Sequence, residues 1–107
     1  MRKLIRQGDI LLVPVEATPP HDAKRTREVV LAEGELTGHS HRLAAPVVLD
    51  WEVAGQRFVR VQGDDIGTLT HEDHDPTPAP VVHPEQSYMV VRQREWSLDG
   101  EWKQVTD

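Results

Sequence analysis

Residues 47–62 read VVLDWEVAGQRFVRVQ, and this segment carries the plainest structural signal in the chain. Two runs rich in valine, Val47–Val53 and Arg57–Gln62, flank the short segment Ala54-Gly55-Gln56. β-Branched and aromatic residues favour strands, and a glycine between two such runs is typical of a tight turn. The segment therefore predicts two β-strands joined by a tight turn.

Short apolar runs continue on both sides of this segment, separated by glycine and proline turn signals at intervals of roughly 8–12 residues. These further predicted strands are Ile10–Val15, Glu28–Ala32, Ile66–His71, Ser87–Trp96 and Glu101–Val105. No segment sustains a helical period, and the charged stretch Pro20–Arg27 predicts a loop or a single helical turn. We therefore expect an all-β fold, a single-domain barrel or sandwich of about seven to eight short strands over residues 1–107.

The composition limits the function. Lysine and arginine number 12 against 18 aspartates and glutamates, which gives a net charge of −6. Nucleic-acid binding normally needs a net positive surface, so nucleic acid is not the expected partner.

The chain has no cysteine, which excludes disulfides, thiolate zinc sites and cysteine nucleophiles. It shows no signal peptide and no run near the roughly 20 apolar residues of a membrane span, so we expect a cytoplasmic protein without a membrane partner.

The chain holds six histidines, and four of them form two pairs. One residue separates His39 from His41, and two residues separate His71 from His74. Because side chains alternate along a strand, His39 and His41 would share a face with Leu43, the expected core face. Burial of a polar ring without a partner costs free energy, so inward histidines require a polar partner or a bound ligand.

The second segment directs a histidine inward in the same way, with Leu69 and His71 on one face and Thr68 and Thr70 on the other. The two segments together predict a divalent-metal site whose ligands are His39, His41, His71 and His74. Neutral imidazoles suit zinc above all, with nickel, copper and iron as alternatives. The two remaining histidines, His21 and His83, lie beside prolines and are predicted to be surface loop residues.

The number of ligands separates two kinds of metal protein. Four histidines would fill the coordination sphere of a structural or sequestering site. Three would leave a position for a reactive water, and Glu72 or Asp73 would then be the candidate general base of an enzyme with an unknown substrate. The alternative hypothesis is a non-enzymatic protein-interaction module whose histidines are structural.

The predicted strand Ser87–Trp96 places several large side chains on one face, namely Tyr88, Val90, Arg92, Arg94 and Trp96. Arg92 and Arg94 could contact an anion or a nucleic acid there. Alternatively, this is a solvated face on which the arginines pair with carboxylates. Exposed sheet edges in so short a chain also predict a homo-oligomer.

Two resemblances accompany these patterns. The segment Gly34-x-x-x-Gly38-His39-x-His41 resembles a compressed first cupin motif, which implies a cupin-like barrel with a divalent metal in its mouth. The glutamate that continues that motif is replaced here by Ala44 and Ala45. The chain as a whole resembles a group of uncharacterised small bacterial and phage-associated proteins with TGHxHR and HExH segments. That resemblance implies one compact domain in which the two histidine segments belong together, and it implies no activity.

Overall fold

The computed structural model describes residues 2–33, 40–71, 79–92, 94–96 and 102–104. All regular structure within these ranges is β, which confirms the predicted fold class. The strands are β1 (Ile5–Gln7), β2 (Ile10–Val15), β3 (Lys24–Glu33), β4 (Ser40–Val53), β5 (Gln56–Val61), β6 (Gly67–His71), β7 (Val81–Val82), β8 (Ser87–Arg92), β9 (Arg94–Trp96) and β10 (Trp102–Gln104). In the same ranges, no helix is long and apolar enough to cross a membrane.

Eight strands form one antiparallel sheet that curls into a half-barrel. The strand order is β1-β2-β8-β5-β4-β6-β7, and β3 pairs with the free side of β4. The strands β9 and β10 form a separate two-stranded sheet in which Trp96 lies opposite Trp102. The path therefore begins at β1 and ends at β7, and the curl brings these two ends of the sheet towards each other.

The long strand β4 produces much of this curl, because its two halves have different neighbours. Its first half pairs with β6 and its second half with β5, while β3 runs along the opposite side. Pro46 is exposed at the junction, and the register with β3 shifts between Thr26 and Glu28 opposite it. A proline has no N–H to donate, so it is tolerated where the ladder is already interrupted by a bulge.

The inner face of the curled sheet forms one apolar core. Its fully or nearly buried members are Ile10, Leu12, Val29, Leu31, Leu43, Val48, Val59, Val61, Leu69, Val82 and Tyr88. Along β6 the buried Leu69 alternates with the exposed Thr68 and Thr70, as predicted. Burial of each such aliphatic side chain contributes on the order of 1.5–3 kcal/mol, so this face is the main source of stability.

Two tight turns fix the register of the hairpins. Ala54 and Gly55 both have positive φ, 51° and 80°, which is the signature of a type I′ turn between β4 and β5. This confirms the predicted turn. Gly8, with φ 57°, opens the turn between β1 and β2 and leaves Asp9 directly before the buried Ile10.

Several predicted boundaries were wrong. The stretch Lys24–Arg27, predicted as loop or helical turn, is the first part of β3 and pairs with the second half of β4. It escaped the apolar pattern because its side chains are exposed or half-buried and its stability comes from the backbone ladder. The short strand β1 was not predicted. The predicted strand Val47–Val53 is only the second half of β4, which starts at Ser40.

Candidate functional site

The histidine pair that the structure describes lies at the start of β4 and the end of β6. His41 and His71 are direct cross-strand partners, so their side chains share the inner face of the sheet. Their rings stack with 4.2 Å between centroids and 13° between planes. His41 is fully buried and His71 is half-buried. The predicted inward orientation of both residues, together with Leu43 and Leu69, is confirmed.

Gln7 holds one side of the His41 ring. The Gln7 side-chain amide donates from Nε2 to the carbonyl oxygen of Leu69 at 2.9 Å. Its Oε1 lies 2.9 Å from His41 Nδ1. Gln7 belongs to β1 and Leu69 to β6, so this one side chain links the two ends of the sheet path. We call the gap between β1 and the β6–β7 end of the sheet the seam.

Asp9 lies on the other side of the His41 ring and is itself fully buried. Its Oδ1 is 3.3 Å from His41 Nε2, and its Oδ2 accepts a hydrogen bond from Arg92 Nε at 2.8 Å. A buried carboxylate requires such partners, because burial removes it from water. Arg92 keeps 24% of its side-chain surface exposed, so the chain of contacts leads from the core towards solvent.

These contacts define the state of the His41 ring. A carbonyl oxygen can only accept, so Leu69 orients the Gln7 amide and leaves Gln7 Oε1 to accept from His41 Nδ1–H. Nδ1 therefore carries a proton, as inferred from the partners. Nε2 then faces a carboxylate oxygen of Asp9, and that contact is attractive only when a proton or another cation sits on Nε2. Gln7 and Asp9 thus offer one oxygen acceptor to each ring nitrogen of His41.

The other predicted site residues fall outside the part of the chain that the structure describes. This applies to the predicted ligands His39 and His74 and to the candidate bases Glu72 and Asp73. Within the described ranges, no group of three or more histidine, aspartate or glutamate side chains is placed to hold a metal ion. The four-histidine site therefore stays a prediction, of which the structure brings two members together.

Three residues that surround His41 were not predicted to belong to the histidine site, namely Gln7, Asp9 and Arg92. Gln7 and Asp9 flank Gly8, and polar residues beside a glycine are typical of a turn, so no sequence signal indicated their inward contacts. Arg92 was placed correctly on one face with Tyr88, and Tyr88 proves to be buried. The partner of Arg92 is the carboxylate of Asp9, as one of the two alternatives predicted. The strand face that carries Arg92 is the inner face of the sheet, however, and not the solvated face of that alternative.

Comparison with known proteins places the cluster inside a family. The chain belongs to the family described as a domain of unknown function, DUF8820, which matches residues 6–93. The match covers Gln7, Asp9, His41, His71 and Arg92, and it ends before β9. No curated protein and no solved structure matches the chain.

Proposed function

We propose that this chain is a divalent-metal-binding β-barrel protein with a histidine site at the seam. The observation that carries the proposal is the direct cross-strand pairing of His41 with His71, their rings 4.2 Å apart. Each comes from one of the two histidine segments that the sequence assigns to a common site. In the sequence, His39 is two residues before His41 and His74 is three residues after His71, so both segments supply a further imidazole.

The hydrogen bonds around His41 suit a metal ligand. Metal-bound histidines usually donate their other ring N–H to an oxygen acceptor, which fixes the ring and its tautomer. Gln7 Oε1 takes this part at Nδ1, and Nε2 is the nitrogen on which a cation is favoured. A set of imidazoles with a carboxylate nearby is typical of zinc, with nickel, copper or iron as alternatives.

The chemistry would depend on how many histidines bind. With all four, the metal would be structural or stored. With three, the open position would hold a water whose pKa a zinc ion lowers to about 7, and Glu72 or Asp73 would be the candidate base. The substrate of such an enzyme stays unassigned.

A second candidate function is a non-enzymatic interaction module with structural histidines. It is favoured by the complete burial of His41 and Asp9 and by their contacts with Gln7 and Arg92, because buried polar side chains that contact one another can serve a structural purpose. In that case the exposed sheet edges would serve a protein partner or a second copy of the chain. A homo-oligomer, a cytoplasmic location and the absence of nucleic-acid binding stay predictions under both functions.

Metal content of tag-free protein, measured by mass spectrometry, tests the proposal. We expect near-stoichiometric metal in the wild type and a loss in His39→Ala and in His74→Ala. His21→Ala is the matched control, because His21 is an exposed histidine in the connection between β2 and β3. Titration of metal-free protein with Co²⁺ then reports the coordination geometry, since tetrahedral and octahedral cobalt differ strongly in visible absorption, and the number of single-histidine variants that lose the metal reports how many histidines bind.

Two results would decide against the metal. One is wild-type protein that is folded, metal-free and unresponsive to added Zn²⁺, Ni²⁺, Cu²⁺ or Co²⁺. The other is metal that is lost equally in His21→Ala. Either would leave the interaction module as the better description of the cluster.

A further inference from the structure

A second feature of the seam lies beside the histidine cluster, towards the start of β1. It is a cavity of about 380 Å³, lined by Arg2, Lys3, Ile5, Val81, His83 and Tyr88. Ile5 and Gln7 lie two residues apart on β1, and Tyr88 and Arg92 four residues apart on β8, so both strands pass from the cavity to the cluster on one face. Within the described part of the chain, no backbone ladder pairs β1 with β7, and the cavity lies at this gap.

Among the residues that line the cavity is Tyr88, whose hydroxyl is a polar group that needs a hydrogen-bond partner. Tyr88 is fully buried, and its hydroxyl makes no hydrogen bond within the part of the chain that the structure describes. A buried hydroxyl without a partner is unfavourable, and most buried polar groups in proteins are satisfied by protein or by a bound molecule. Burial raises the pKa of Tyr88, against the opposing effect of the Arg2 charge, so the phenol stays protonated and is a hydrogen-bond donor at neutral pH.

Among the residues that the structure describes, the charged side chains that line the cavity are all cationic. Arg2 and Lys3 are exposed cations at its rim and His83 is a half-buried imidazole, whereas none of the six lining residues is acidic. This is the reverse of the chain as a whole, whose net charge is −6. Ile5 and Val81 add an apolar wall, and Val81 is 43% exposed.

We propose that the seam cavity binds a small organic anion. Its carboxylate or phosphate group would lie against Arg2 and Lys3 and accept a hydrogen bond from the Tyr88 hydroxyl. Its apolar body would rest on Ile5 and Val81. The volume suits this class, because small-molecule sites range from roughly 300 to 1,000 Å³ and combine apolar walls with a few converging polar groups. The site is independent of the proposed metal.

Tyr88 is the single tyrosine of the chain, which makes the test specific. Protein with isotope-labelled tyrosine gives one set of ring NMR signals, and these are followed during titration with benzoate and with phenyl phosphate. Benzamide is the matched uncharged probe of the same shape. We expect saturable shifts with at least one of the two anions and much weaker binding of benzamide, because the rim charges select for an anion.

Two variants locate the site. Tyr88→Phe keeps the ring and removes the hydroxyl, and a lost hydrogen bond to a charged acceptor corresponds to about tenfold weaker binding or more. Binding to this variant is followed by isothermal titration calorimetry, and we expect its unliganded Tm to equal or exceed that of the wild type because no partner is lost. Arg2→Gln/Lys3→Gln should also weaken binding, whereas Arg25→Gln, a cation outside this cavity, should not.

The wild-type titration alone can overturn the proposal. An absence of saturable shifts with both anions would exclude the site, and equal binding of benzamide would show an apolar cavity without anion selectivity. Binding that Arg25→Gln weakens as much as Arg2→Gln/Lys3→Gln would reduce it to general attraction of anions to surface charge.

Discussion

Asp9 and His41 meet inside the half-barrel, with 3.3 Å between the Asp9 Oδ1 and His41 Nε2 atoms and no solvent exposure on either side chain. Asp9 comes from the turn between β1 and β2, and His41 from the beginning of β4. The contact therefore joins strands that are not neighbours in the sheet. With Gln7 and Arg92 it forms a polar network through the core, and this network is the most distinctive feature of the fold.

Removal of the Asp9 carboxylate should destabilise the protein strongly. Asp9→Ala leaves Arg92 and His41 without their shared acceptor, and loss of one partner of a largely buried ion pair costs on the order of 2–4 kcal/mol. Asp9→Asn should cost less, because an amide can still accept from Arg92 and can donate to His41 Nε2. Urea unfolding measures both changes.

The matched control is Asp50→Ala. Asp50 also pairs with an arginine, Arg57, but the two side chains keep 18% and 33% of their surface exposed. Water reaches both partners of this pair and screens their interaction, whereas Asp9 is fully buried, so this variant should lose less stability. Equal losses in the free energy of unfolding in Asp9→Ala and Asp50→Ala would contradict the prediction that the buried network contributes more to stability.

Gln7 should determine which nitrogen of His41 carries the proton. In metal-free protein, ¹⁵N NMR should show a proton on His41 Nδ1, because Gln7 Oε1 accepts there. Gln7→Leu removes that acceptor, and the preference for Nδ1–H should disappear. His21, an exposed histidine, should keep its tautomer in both proteins. A His41 ring that is protonated only on Nε2 in the wild type would contradict the inferred hydrogen-bond pattern.

Gly67 is the buried first residue of β6, and it should not tolerate a side chain because its surroundings are closely packed. A Cβ at Gly67 would lie 2.7 Å from Val61 Cγ2 and 3.1 Å from Leu43 Cδ1. Forcing a methyl group into a packed core costs about 1–3 kcal/mol, so Gly67→Ala should lower the unfolding midpoint in urea. Gly63→Ala is the comparison, because a Cβ at Gly63 meets no neighbouring side chain or strand within 4 Å. Its loss of stability reports the cost of the positive φ at Gly63, whereas the loss in Gly67→Ala reports crowding. A neutral Gly67→Ala would show that Leu43 and Val61 move aside.

Glu85 should contribute a pH-dependent part of the stability. The Gly63 N–H and the Arg60 guanidinium hydrogen-bond to its carboxylate, and they lower the pKa of Glu85 in the folded state. A carboxyl whose pKa falls on folding stabilises the protein above its unfolded pKa, and the contribution is lost as the pH falls through the folded value. Glu85→Gln should therefore be less stable than the wild type at neutral pH, and the difference should shrink on acidification.

Thermal unfolding across the acidic range measures this difference. Glu16→Gln, at an exposed position after β2, is the matched control for the loss of one negative charge. A Glu85→Gln difference that is constant with pH would show that the contacts of Glu85 do not depend on its ionisation.

The strand pattern could be predicted from the sequence because it is local. A continuous apolar run identified β2, and a glycine between two apolar runs identified the hairpin turn at Ala54-Gly55. Alternation along the strands predicted that His41 and His71 point inward with Leu43 and Leu69. It failed for Lys24–Arg27, where pairing with β4 and not burial makes the strand. Local pattern reports burial, and a strand without a buried face gives no such signal.

The sequence by itself thus determined an all-β fold and the inward direction of His41 and His71, since both follow from the two-residue period of a strand. Only the tertiary structure decided which side chains the histidines meet. Strand order and sheet curl bring Gln7, Asp9 and Arg92 to His41, and they place the buried Tyr88 in the lining of the seam cavity. These contacts join residues far apart in the chain, and no local propensity encodes which distant strands become neighbours.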